Sequence, residues 1–267
     1  MPSAVRIYTL NFALSGPDRS GAGALRSALN ARSDVYCHEN VLHTSEDADG
    51  ETLRREAYED YFGPSRSPVY PEWFLPKEIS PGRYLDHTIF DEPRRGEKAI
   101  GIRLSHAEFS RYELWDYLSE KCCEGDFCFI YMRRNPVASL VSLKQAKQYR
   151  LWRISAAETL NEQPPPAITL DASEVVEYIR LCDVAEKRFR NACADCLVIE
   201  YMEFAQRTDR VLTRVASFLE LDEKTIPGPT TLRLRNLPMR DRIRNFDELR
   251  KKAPAIVRAH LEAEDLY

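Results

Sequence analysis

Leu14-Ser15-Gly16-Pro17-Asp18-Arg19-Ser20-Gly21-Ala22-Gly23 joins an apolar, strand-like run from Ile7 to Leu14 to an amphipathic helical pattern that begins near Gly21. A strand, a glycine-rich turn and a helix start, in that order, form a βα unit. Its turn aims several backbone N–H groups at one spot, with the positive end of the helix dipole behind them. Arg19 adds a permanent cation, so the loop reads as a seat for a phosphate or a phosphate-like ester. An ordinary βα turn, in which glycine only permits positive φ, accounts for the loop alone equally well. A second site has to decide between them.

The loop also excludes a chemistry. Gly16 and Gly21 have the spacing of an ATP-handling loop, G-x-x-x-x-G-K-[ST], but Ala22 and Gly23 stand where a Lys would reach the terminal phosphates and a hydroxyl would hold Mg²⁺. A metal-assisted kinase or NTPase is the disfavoured alternative.

The second site is Phe127-Cys128-Phe129-Ile130-Tyr131-Met132-Arg133-Arg134-Asn135-Pro136, followed by Ser142. Its first six residues are a continuous apolar run of strand length, suited to the buried centre of a parallel sheet. Asn135-Pro136 breaks the strand, and Pro136 fits the first turn of a helix. Arg134 therefore stands at the carboxyl end of a central strand, the edge where open α/β sheets bind ligands. Ser142, two helical turns on, is placed to face back toward Arg134.

The remaining pattern alternates. Strand-like runs cover Ile7 to Leu14, Ala99 to Leu104, Phe127 to Met132 and Leu197 to Tyr201; helical patterns cover Gly21 to Asn30, His106 to Ser119, Val137 to Trp152, Ser173 to Asn191 and Arg210 to Leu219. This order implies an α/β fold with right-handed crossovers and helices on both sheet faces. Asp171-Ala172-Ser173-Glu174 has capping-box spacing and opens the fourth helix. Residues 61–80, with four prolines among Tyr70, Trp73 and Phe74, read as an irregular insertion. So does the stretch 161–167 with its Pro164-Pro165-Pro166. The aromatics of the first suit stacking on a sugar ring or pinning a long loop to the core.

At these residues the chain resembles the sulfotransferases that use 3′-phosphoadenosine-5′-phosphosulfate (PAPS). That family carries a P-[RK]-S-G-[ST]-[ST] loop after its first strand and an R-[ND]-P-x(5)-S segment after a central one. Here Pro17-Asp18-Arg19-Ser20-Gly21-Ala22-Gly23 is the looser match and Arg134-Asn135-Pro136 with Ser142 the closer. Asp34 to Leu42 resembles the loop after the family's phosphate-loop helix. Val198 to Phe204 with Phe218-Leu219-Glu220-Leu221 resembles its "R-Y-E-D-L … F-L-G-L" pair, and Leu232 to Asn236 with Ile243 to Leu249 its closing segment. The similarity runs toward bacterial carbohydrate sulfotransferases acting on lipo-oligosaccharides and glycolipids.

The resemblance implies a P-loop-like three-layer sandwich, a central parallel sheet flanked by helices, as a single domain over 1–267. It implies PAPS as donor, PAP as product, no required metal, and a hydroxyl acceptor, with a glycan or glycolipid first. A non-catalytic, degenerate PAP(S)-binding protein is the alternative that Ala22 and Gly23 leave open. Arg19, Ser20, Gly21, Ala22 and Gly23 are expected at the 5′-phosphosulfate, Arg134 and Ser142 at the 3′-phosphate, and Arg233 or Arg235 in a flap over the nucleotide. Arg19 also has a catalytic part, stabilising the leaving phosphate. For the base, Glu39 comes before His38, with His43 third. A helix cap or surface charge explains a single acidic loop residue equally well.

Composition agrees with an enzyme of this kind. The 267 residues are 43% hydrophobic, enough for a large core, and the net charge of −4 gives no bulk attraction to nucleic acid or an acidic membrane. Residues 232–252 reverse the sign locally, with eight basic against three acidic residues. No run nears a membrane span and the N-terminus lacks signal-peptide design, so a cytoplasmic chain is expected. Seven cysteines, an odd count with Cys128 and Cys182 in apolar contexts, read as free thiols. Cys193-Ala194-Asp195-Cys196 lacks a second ligand pair.

Overall fold

The computed structural model describes residues 9–39, 80–90, 97–111, 113–125, 127–149, 165–192, 196–222 and 238–264. Among these residues five strands form one sheet: β1 (Leu10–Gly16), β2 (Val35–Glu39), β3 (Ala99–Ser105), β4 (Phe127–Arg133) and β5 (Cys196–Glu200), in the order β2-β3-β1-β4-β5. Every neighbouring pair is parallel. The helices are α1 (Ala22–Asn30), α2 (Pro81–Tyr84) with a π-helical turn Leu85–Phe90, α3 (His106–Arg111), α4 (Leu114–Glu124), α5 (Pro136–Tyr149) and α6 (Ala172–Ala192). Then come α7 (Tyr201–Gln206), α8 (Thr208–Phe218), α9 (Met239–Arg242), α10 (Phe246–Lys252) and α11 (Ala255–Glu264).

Both faces of the sheet are covered, as an all-parallel sheet requires. On one side Phe12, Leu14, Ile130 and Met132 pack with Leu25 and Leu29 of α1 and Leu212 and Val215 of α8. On the other, Ile102, Leu104, Phe129 and Tyr131 meet Leu114 and Leu118 of α4 and Phe189 of α6. A third cluster joins α5 and α6 to α9, α10 and α11 through Val137, Val141, Ile179, Phe246 and Leu261. Gly101 is needed because the ring of Phe12 lies across its backbone: a Cβ there would stand 2.3 Å from ring carbons.

The chain reverses its direction of winding beside β1. The connection through α1 carries it to β2 at one edge, and β4 is laid down on the opposite side of β1 from β3. The carboxyl ends of β1 and β4 therefore face the crevice of a topological switch point. The expected order of strands and helices holds, with four local differences. The first strand starts at Leu10 in the described chain, Ile7 lying outside it. Residues 35–39, expected in a loop, form the edge strand β2, because Val35, Cys37 and Glu39 alternate toward one face and pair in register with Ala99, Gly101 and Arg103. The helix expected over 106–119 is two helices, broken before Leu114, where Glu113 takes a left-handed φ of 52°. The helix expected to run to Trp152 is described from Pro136 to Tyr149.

Local signals explain several helix starts. Ser105 and Glu108 cap α3 reciprocally: the Ser105 N–H donates to Glu108 Oε2 (2.7 Å) and the Glu108 N–H to Ser105 Oγ (3.4 Å). Asp171 Oδ1 accepts from the N–H groups of Ser173 and Glu174 at the start of α6. Asn135 caps α5, its Oδ1 accepting from Val137 N (2.9 Å) and Ala138 N (3.3 Å), while its Nδ2 donates to the carbonyl of His260 in α11 (2.7 Å). Asn245 exchanges two hydrogen bonds with the backbone of Leu170, tying the α9–α10 region to the lead-in of α6.

Among the described residues Cys37, Cys123 and Cys182 are free thiols. No helix among the described residues is long and apolar enough to cross a membrane. The insertion expected at 61–80 and the proline run at 164 fall outside the described residues, except Ser80 and positions from 165 onward.

Two predictions follow from this frame. Replacing Asn135 by Ala removes a cap and the latch to α11; stability in urea should fall by about 2 kcal/mol, more than the ~1 kcal/mol typical of a lost cap. The second concerns His106, stacked on Tyr131 with ring centroids 5.6 Å apart, whose buried Nε2 has no hydrogen-bond partner among the described residues. Burial lowers its pKa from 6.5 to about 4. The unfolded chain then binds the extra proton first, so stability is lost as pH falls from 6.5 toward 4. Between about pH 7 and pH 5 the loss attributable to this group is roughly 2 kcal/mol. A His106→Leu variant should show that much less acid destabilisation than the parent when urea midpoints are compared at the two pH values.

Candidate active site

The loop after β1 is shaped by three backbone constraints. At Gly16 a Cβ would lie 2.4 Å from the carbonyl oxygen of Met132 and 2.6 Å from Ser20 Oγ, so only glycine lets β1 leave the sheet this close to β4. The Ser20 N–H donates to the Pro17 carbonyl (3.0 Å), closing a turn in which Arg19 adopts a left-handed φ of 65°. Gly21 precedes α1 with φ 94°, and a Cβ on it would stand 2.8 Å from the ring of Tyr201. Among the described residues no side chain caps the first turn of α1, whose residues include Ala22 and Gly23. Its N–H groups face the same side as the loop, where the helix dipole favours an anion.

At the exit of β4 two successive arginines part company. Arg133 turns outward to Glu186 and Glu200. Arg134 turns to the β1 loop: its Nη1 donates to the carbonyl of Arg19 at 2.6 Å, and its guanidinium lies 4.1 Å from the centroid of the Tyr201 ring. Its Nε is buried without a partner among the described residues. The Arg19 side chain crosses to α5, with Nε donating to Ser142 Oγ at 3.3 Å. Arg19, Arg134 and Ser142 are therefore one cluster, although Ser142 contacts Arg19 where sequence reasoning had it facing Arg134. Burial lowers the pKa of Arg19, and the nearby charges of Arg134 and Arg103 push it the same way, against Tyr201 and Asp18.

This cluster has polar capacity to spare. Ser20 is 1% exposed, and its hydroxyl, like those of Ser15 and Ser139, has no partner among the described residues. The Ser20 hydroxyl beside Gly16, the Arg134 Nε and the uncapped helix start are donors at the carboxyl edge of β1 and β4. The residues present therefore fit a bound, highly charged anion. Tyr201, which packs both Gly21 and Arg134, was missed as a site residue by sequence reasoning; its position at the first turn after β5, the next strand beyond β4, is the signal that marks it.

Glu39 and His38 end β2, two strands from β1. His38 is 3% exposed and meets Tyr36 edge to face at 4.6 Å. Glu39 is 9% exposed and lies between two guanidiniums: Arg103 Nη1 bonds Oε1, and Arg26 Nη2 bonds Oε2 at 2.7 Å. Arg103, in register with both Glu39 and Leu14, was not anticipated. His43, Arg233 and Arg235 lie outside the described residues. Among the described residues, no three His, Cys, Asp or Glu side chains gather as a metal site requires.

Residues 118–248 match the Stf0 sulphotransferase family. The chain has no match among curated proteins. Among solved structures it resembles a sulfotransferase from Alicyclobacillus acidocaldarius, with TM-score 0.50 at 18% identity over 96% of this chain and 95% of that one. It also aligns with the sulfotransferase domain of the Synechococcus PCC 7002 olefin synthase (TM-score 0.45, 13% identity, 83% and 77% of the chains). A third is a mouse sulfotransferase solved with PAP (TM-score 0.39, 13% identity, 97% and 89%). The first of these shares its fold with this chain nearly end to end. The family match itself covers β4, Arg134, Ser142 and Tyr201, just under half of the chain, and marks the sulfotransferases as the proteins to which this chain is similar.

Proposed function

We propose that this protein is a sulfotransferase that moves a sulfuryl group from PAPS to an acceptor hydroxyl, on a carbohydrate in the first instance, and that Arg19 and Arg134 hold the donor's two anionic ends. One observation carries the reading: residues 115 positions apart, Arg19 and Arg134, are joined by a hydrogen bond at the carboxyl edge of the sheet. A single nucleotide can bridge them. PAPS supplies the sulfuryl group and a phosphate leaving group. Arg19, the N–H groups of Gly21, Ala22 and Gly23, and the Ser20 hydroxyl bind the 5′ end; Arg134 and Ser142 bind the 3′-phosphate, with the nucleotide taking the place of the bond between Arg19 and Ser142.

In-line displacement forms the bond from acceptor oxygen to sulfur and breaks the bond from sulfur to the bridging oxygen. The electron pair stays on the 5′-phosphate of PAP, where Arg19 and the loop amides stabilise it. Binding at the 3′ end fixes the alignment with energy from a part of the donor that does not react. The hydroxyl proton goes to the edge of β2, where Glu39 is the first candidate and His38 the second. Where the transition state is loose, as in the closely related phosphoryl transfer, a group there has to accept the proton only late in the reaction.

The sugar-type acceptor rests on the sequence resemblance, and the acceptor screen should start with glycans and glycolipids, followed by phenols and peptides, each with radiolabelled PAPS. The donor site is tested without knowing the acceptor. Calorimetry should show PAP binding to the parent chain, weakened roughly 10- to 100-fold by either Arg19→Ala or Arg134→Ala, the effect of one lost charge-assisted contact. Affinity should also drop as salt is raised. No binding of PAP, or unchanged affinity in both variants, overturns the assignment.

A further inference from the structure

Arg103 is the only charged residue of β3, a strand that reads Ala-Ile-Gly-Ile-Arg-Leu-Ser. Resting on the donor-site reading above, we propose that Arg103 binds the transferable sulfuryl group of PAPS and that Glu39 is the positioning residue that holds Arg103 there.

The placement follows from the register. Arg103 pairs with Leu14 of β1 on one side and Glu39 of β2 on the other. Paired residues of a parallel sheet share a face, so Arg103 projects on the side of α1, the side of Phe12 and Leu14. Leu14 is two residues, about 6.6 Å along the strand, below Gly16 where the anion loop begins. An extended arginine side chain covers that rise. The Arg103 side chain is 26% exposed, and its charge reaches Arg19, whose pKa it helps to lower. Arg103 thus lies beside the 5′ end of the proposed donor site, on the side from which an acceptor at β2 approaches.

The hydrogen bonds say what is left to bind. Among the described residues Arg103 spends one N–H, on Nη1, upon Glu39. Its other donors stay available, in a planar fork suited to a tetrahedral oxyanion. Glu39 in turn needs no Arg103 for charge balance, since Arg26 already bonds its other oxygen at 2.7 Å and is anchored by a 3.5 Å bond from Nη1 to the Cys37 carbonyl. One carboxylate shared by two guanidiniums leaves one positive charge in excess. That excess stands where the donor's sulfuryl oxygens and the acceptor meet. Removing Glu39 leaves Arg103 charged but free to swing, so the carboxylate's task toward it is geometric and is separate from any part it has as a base.

PAP and PAPS differ only by the sulfuryl group, so comparing them isolates the contact. Calorimetry on the full chain should show that Arg103→Met weakens PAPS at least 10-fold and PAP less than 3-fold, with Arg103→Lys recovering part of the loss. Glu39→Gln should weaken PAPS about 3- to 10-fold and PAP little. This sign is diagnostic, because deleting a negative charge near an anion site otherwise tightens both ligands. Equal losses for PAP and PAPS in Arg103→Met, or tighter binding of both by Glu39→Gln, overturn the proposal and leave the donor site standing. Should Arg103→Met not fold, Arg103→Gln and Arg103→Lys carry the same comparison. Failure of the parent chain to bind PAP overturns the donor site itself, and this assignment with it.

Discussion

The close approach of the β1 loop to the exit of β4 is the constraint on which the site depends. Met132 presents its carbonyl where Gly16 would carry a Cβ, and two residues later Arg134 donates to the carbonyl of Arg19. The first contact is possible only without a side chain at position 16; the second fixes the height of the loop above the sheet. Arg19 accordingly sits in the left-handed region, a conformation that costs a non-glycine residue roughly 1 kcal/mol and persists only where surroundings dictate it. Tyr201 completes the arrangement by filling the space beside Gly21 and lying under Arg134. Three strand ends, those of β1, β4 and β5, are thereby locked into one surface.

That surface is electrostatically incomplete. Arg19, Arg26, Arg103 and Arg134 crowd the carboxyl edge with Glu39 and Asp18 among them, and the pKa of Arg19 is lowered first by its burial and then by Arg134. Like charges brought together in a partly desolvated pocket destabilise the fold unless an anion joins them. An ion pair such as Lys252 with Glu248, both exposed on one helix face, contributes little. The cluster at the sheet edge is different in kind, because Arg19, Arg103 and Arg134 gather at the ends of neighbouring strands.

The parts legible in the sequence were those set by local rules. An apolar run ending in Arg-Asn-Pro had to be a buried strand followed by a capped helix, and Asn135 and Pro136 occupy those positions. Gly16 and Gly21 announced a tight βα turn. What escaped was set by register and by neighbours distant in sequence. β2 is a short edge strand ending in His and Glu, and its pairing with β3 across 64 residues has no local sign. Arg103 looked like an isolated charge in a strand until that pairing put Glu39 beside it. Tyr201 carries no motif of its own; it matters because Gly21 leaves room for its ring. Ser142 was placed on the correct helix face, but the choice between Arg19 and Arg134 as its partner depends on side-chain reach, which spacing does not encode.

The strand order gives the proposed chemistry its polarity. β1 and β4, at the centre, present the loop and Arg134, the groups assigned to the nucleotide's phosphates. β2, at the edge, presents Glu39, on the side assigned to the acceptor. β3 lies between β1 and β2, so any side chain at its carboxyl end on the α1 face stands between donor and acceptor. Arg103 is that side chain. A cation at this position can neutralise sulfuryl oxygens as the hydroxyl approaches, and only a rigid anchor keeps it from collapsing onto the donor's phosphate instead. Glu39, itself fixed through Arg26 to α1, is such an anchor, and α1 is the helix that begins at the anion loop. One helix thus sets the height of the loop at its start and, a turn later, the position of the carboxylate that restrains Arg103, so that the donor and acceptor sides of the reaction are held to a common reference.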